Sequence, residues 1–192
     1  MFDIESLDVE STAVVLSIAM IEFNLDEKPV YKDLIDRAIF VKFDVDHQIK
    51  NYHRTVSKET LEWWAKRSLI VKEKSFKPNV CDVSVLEGLE ILRTKGNFKK
   101  EAKYNQDVMF WARGGLDQVV FEGLCRAVGE PVFAHYSNWR DVRTAVELLV
   151  EGSVHGYCIV PGLDQDTVHK HDPVCDCAYD IMQLLVNNLK KD

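Results

Sequence analysis

Residues 13–23 read "AVVLSIAMIEF". The run is almost continuously apolar and rich in β-forming residues. A strand with no polar alternation is buried on both faces, so it predicts a central strand with layers above and below it. Residues 2–7, "FDIESL", predict a partner strand, joined through "DVEST" as a hairpin-like pair. "AIFVKF" (38–43) predicts a third strand, after a turn at "NLDEKPV" (24–30).

Helical signals dominate the rest. "SKETLEWWAKRS" opens on a cap at Ser57, with Leu61, Trp64 and Ser68 on one face. "SVLEGLEILRTKG" carries a capping box, Ser84 with Glu87, and stops at Gly96. "DVMFWAR" (107–113) predicts a short buried strand. It leads into "GGLDQVVFEGLCRAVG", a helix with Leu116, Val119, Val120 and Leu124 inward. "VFAHYSNW" (132–139) predicts a weaker strand and "RDVRTAVELLVEG" a helix. Residues 152–173 predict a loop, and "CDCAYDIMQLLVNNLKK" an amphipathic helix with Ala178, Ile181, Met182 and Leu185 inward. The lysine-rich "KGNFKKEAK" (95–103) reads as a solvated loop. The order predicts one α/β domain over residues 1–192, with a mixed sheet: antiparallel strands first, then parallel additions through helical crossovers.

Inside the first strand sit two acids. Residues i and i+2 of a strand share a face, so Asp3 and Glu5 project side by side while Ile4 points into the core. Like charges at that spacing raise one another's proton affinity, and a cation between them removes the cost. A solvated edge strand would also tolerate them. Two further acids stand out. Asp117 lies in the first turn of a helix, just after a buried strand and Gly114–Gly115. Asp176 lies near the start of the last helix, five residues after His171. Each is also explained as an acid favoured by a helix N-terminus.

The chain has 192 residues and a formal net charge of −7, which argues against a basic surface that coats nucleic acid. An enzyme that holds phosphates through bound metal ions is not excluded, and its acids would be the site. Five cysteines with no C-x-x-C pair argue against a zinc or disulfide framework. No apolar run reaches membrane-spanning length, and "MFDIES" lacks a basic leader, so the expected location is the cytoplasm.

The ordered set D-x-E on the first strand, an Asp at the head of a middle helix, and H-x-x-x-x-D before the last helix resembles the DEDD superfamily of 3′–5′ exonucleases, in its histidine-bearing branch (DEDDh). "DIESL", "LSIA", "TLEWW", "FWARGGLDQVVFEGL", "WRDVRT" and "HDPVCDCAYDI" look like the DexA-like phage enzymes and small bacterial exoribonucleases. Leu116, Pro173 and Cys177 depart from the usual pattern. His169 is a rival to His171, but its spacing to Asp176 does not match. Tyr179 follows Asp176 and cannot replace the histidine.

The resemblance implies a ribonuclease H-like fold and hydrolysis of single-stranded RNA or DNA from the 3′ end, releasing nucleoside 5′-monophosphates. It implies two divalent ions, Mg²⁺ or Mn²⁺, held by Asp3, Glu5, Asp117 and Asp176, with His171 as general base. It places the Ser6 backbone and the Leu7 side chain against the terminal nucleotide, and makes a homodimer an expectation. Trp63 and Trp64 are candidate stacking platforms, with Trp64 the better core residue. Arg113 is either a phosphate contact or a surface residue. Asp141 either orients a neighbouring group or holds a loop.

Overall fold

The computed structural model describes residues 1–98 and 108–189. Three strands, β1 (Phe2–Ser6), β2 (Val15–Met20) and β3 (Ile39–Lys42), form an antiparallel sheet in chain order. Asp3 pairs with Ala19 and Glu5 with Ser17, so the hairpin is the one the sequence predicts. β2 is buried at every position, as an unalternating apolar run requires.

Alternation along these strands divides the interior in two. Phe2, Ile4, Ile18, Met20 and Val41 enter a core with Val85, Leu89, Leu92, Val120, Phe121 and Leu124. Ala19 faces the other way, into a core built from Val142, Val146, Cys177, Ala178 and Ile181. Asp3 and Glu5 share that second direction, which turns them toward the last long helix. A smaller cluster of Leu7, Val14, Leu16, Trp64 and Val71 closes one end.

The helices are α1 (Tyr31–Asp36), α2 (Val45–Tyr52), α3 (Lys58–Ala65), α4 (Leu69–Val71, continued by a π turn at Lys72–Phe76), α5 (Val85–Lys95), α6 (Leu116–Ala127), α7 (Val142–Leu149), α8 (Pro173–Leu184) and α9 (Val186–Leu189). Ser57 and Ser84 cap α3 and α5 through Thr60 and Glu87 backbone N–H groups. Gly123 sits inside α6, where propensity disfavours it. The reason is contact: a Cβ there would lie 1.8 Å from the Ser11 carbonyl oxygen.

Several elements differ from the sequence expectation. The parallel addition is a separate pair, β4 (Phe110–Ala112) with β5 (Trp139–Asp141). Among the described residues the two ladders are not hydrogen-bonded to each other, and β1 meets β4 through the Phe2 and Phe110 rings, 6.3 Å apart. Of residues 132–139 only Trp139 is in a strand, as the first residue of β5; a 3₁₀ turn at Tyr136–Asn138 precedes it. Leu116 and Val119 are exposed rather than inward, and of the face shared by Leu61, Trp64 and Ser68 only Trp64 is buried. Helix α8 is buried nearly all round rather than on one stripe, because α1, α7, β1 and β2 all pack on it. The lysine-rich stretch lies largely outside the described residues, as does the end of the last predicted helix. No helix of the described residues is long and apolar enough to cross a membrane.

Candidate active site

A cleft of about 560 Å³ opens between β1, the head of α6, the loop before α8 and α3. Asp3, Glu5, Asp117, Asp176 and His171 all line it. Strand geometry delivers Asp3 and Glu5. The register shift between Glu5 and Ser6 ends the alternation just beyond them. β4 ends in the Gly114–Gly115 turn, which places Asp117 in the first turn of α6. There it accepts backbone N–H groups of Ile4 and Arg113. Asp172 caps α8 through the Val174 and Cys175 N–H groups and pairs with Lys74 at 2.5 Å. That fixes the first turn carrying Asp176.

His171 has a left-handed backbone, φ 70°. Such strain in a non-glycine residue persists only where its surroundings hold it. Two contacts do so: its N–H donates to Asp176 Oδ2 at 2.7 Å, and its ring meets Trp63 edge-on with centroids 4.5 Å apart. Burial, Arg67 and Lys170 lower the imidazole pKa, which keeps the ring neutral and able to accept a proton. His169 is exposed and does not line the cleft.

Burial and mutual repulsion raise all four acids. Asp3 and Glu5 lie well above the ordinary carboxylate range. Asp117 and Asp176 are each pushed up to about 7, mainly by burial. None of the four makes an ion pair with a lysine, arginine or histidine among the described residues, and Asp3 Oδ2 is buried with no hydrogen-bond partner. One ligand atom each from Glu5, His171 and Asp176 lie within 4.8 Å of one another. A set of crowded carboxylates with an orphaned oxygen fits hard divalent cations such as Mg²⁺ or Mn²⁺.

The other expected contacts divide. Ser6 lines the cleft, but its carbonyl is taken by the Trp64 indole N–H at 2.9 Å, so Trp64 is a core residue that fixes the strand end. Leu7 is placed away from the cleft: it is 4% exposed, in the small cluster behind it, because the register shift turns it inward. Trp63 stays at the cleft wall, against His171. Arg113 is not a free cation. Its guanidinium grips Asp180 at 2.6–3.1 Å and donates to the Gly156 carbonyl at 2.9 Å. Asp141 holds a loop: it accepts Gly114 N–H at 2.9 Å and caps α7 through Arg143 and Thr144.

Asp180 is the buried cleft acid the sequence analysis missed. It sits one helical turn after Asp176, and the D-x-x-x-D spacing was its only signal.

A family model described as a 3′–5′ exoribonuclease Rv2179c-like domain matches residues 1–183. The chain is also 28% identical, over 95% of its length and 85% of the relative's, to an exodeoxyribonuclease of Enterobacteria phage T4.

Proposed function

Since the chain belongs to the Rv2179c-like 3′–5′ exoribonuclease domain family and is an exonuclease, we propose that it trims single-stranded nucleic acid from the 3′ end as a DEDDh-type, DexA-like enzyme. It would release nucleoside 5′-monophosphates. The observation that carries this is the convergence of four carboxylates from β1, α6 and α8 on one cleft with His171 at its wall. The reading includes one ribonuclease H-like domain over residues 1–192, in which the two small sheets act as parts of one layer.

Asp3, Glu5, Asp117 and Asp176 would hold two divalent ions, which when bound neutralise the phosphate and acidify the attacking water. His171, neutral in its half-buried position, takes the water's proton at a ring nitrogen. Trp63 and the Asp176 carboxylate keep that ring and its backbone in place. Arg113 holds Asp180 and ties the loop at Gly156 to the end of β4. Asp141 fixes the turn from which Asp117 projects.

The direct test is a 5′-labelled oligonucleotide, offered as matched RNA and DNA, single-stranded and duplex. Single strands shorten stepwise with Mg²⁺ or Mn²⁺ and stop with EDTA; a ladder that persists in EDTA would refute the metal reading. His171→Ala lowers kcat by about 10²–10⁴-fold with divalent-ion binding retained, while His169→Ala stays near wild type. The reverse result would move the base to His169.

A further inference from the structure

Arg113, Arg143 and Lys170 are the lysine and arginine side chains that line the cleft, and the two arginines have different fates. Arg113 is consumed by Asp180 and the Gly156 carbonyl. Arg143 is exposed, lines the same cleft and makes no ion pair with a carboxylate among the described residues.

Its position is nonetheless tightly set. Arg143 lies in the first turn of α7, where its own N–H is held by Asp141 Oδ1 at 3.1 Å. The same oxygen accepts Gly114 N–H from the turn that aims Asp117. Gly114 has φ +86°, and a Cβ on it would meet the Arg143 guanidinium at 3.8–3.9 Å, so the side chain lies against the turn that leads into Asp117. On the other side Gly156, φ +70°, approaches so closely that a Cβ would stand 2.4 Å from Arg143 Cα. A fixed backbone and an unclaimed planar fork suit an arginine that grips a phosphate with two N–H donors.

We propose that Arg143 binds a backbone phosphate of the nucleic-acid strand beside the scissile bond and thereby sets substrate affinity. The proposal rests on the exonuclease reading above. Arg143→Ala, Arg143→Gln and Arg143→Lys are compared with wild type for KM and kcat on a single-stranded oligonucleotide. Binding of the same oligonucleotide is followed by fluorescence anisotropy across a salt series. Arg143→Ala and Arg143→Gln raise KM and Kd about tenfold, the loss of one charged hydrogen-bonded contact, with the change falling in KM rather than kcat. Their plots of log affinity against log salt flatten by about 0.7, one phosphate on a single strand. Arg143→Lys recovers part of the affinity but not the two-donor grip. Unchanged KM and salt slope in variants that melt like wild type would overturn the proposal while the exonuclease reading stands. A wild-type protein that leaves every oligonucleotide intact would overturn the exonuclease reading and this inference with it.

Discussion

Burial penalises the charged forms of Asp117 and Asp176 and pushes each pKa up to about 7. Asp3 and Glu5 are raised in the same direction. A carboxyl whose folded pKa exceeds its unfolded value binds more protons in the folded state. It stabilises the fold below about pH 4 and loses that contribution as pH rises through the folded pKa. Metal-free protein therefore loses melting temperature between pH 5 and 8. Added Mn²⁺ or Mg²⁺ restores more at pH 8 than at pH 5, since only ionised carboxylates ligate. Calorimetric scans in EDTA and in excess ion check both signs. Asp3→Asn removes one of the repelling charges, so it flattens the metal-free pH dependence while abolishing cleavage.

At the scale of elements, the ion pair between Arg113 at the end of β4 and Asp180 on α8 joins two segments across the cleft wall. Both side chains are largely buried. Removing only the cation strands a buried carboxylate, so Arg113→Met costs about 3–5 kcal/mol, read by urea denaturation at neutral pH. The double variant Arg113→Met/Asp180→Leu recovers most of that loss. Legibility in the sequence follows element length. The hairpin, α3, α5 and α6 carry long patterns or strong caps, and their place was readable. Helices α1 and α2 were missed, and β5 was misplaced onto residues that form a 3₁₀ turn. Helices of six and eight residues and strands of three hold few positions for a period to show, and tertiary contacts decide them. The acid set was legible because strand and helix-head positions are local. The fates of Leu7 and Arg113 were not, because one depends on a register shift and the other on a partner 67 residues away.

For the molecule as a whole, charge opposes its substrate. The net charge is −7, and among the described residues seven carboxylates line the cleft against Arg113, Arg143 and Lys170. A polyanion meets repulsion there, which the divalent ions of the proposed mechanism would relieve. Oligonucleotide affinity of the cleavage-blocked His171→Ala variant is therefore at least about tenfold tighter in Mn²⁺ or Mg²⁺ than in EDTA. Equal anisotropy titrations in the two buffers would contradict this.

The burial of α8 on nearly every side reaches into the protein's own synthesis. Its first turn brings Asp176, yet the strand bearing Asp3 and Glu5 leaves the ribosome some 170 residues earlier. A nascent polypeptide lacking that helix has neither its innermost wall nor the Asp176 carboxylate. On the four-carboxylate reading proposed above, it emerges without activity and gains cleavage only once the late segment has packed.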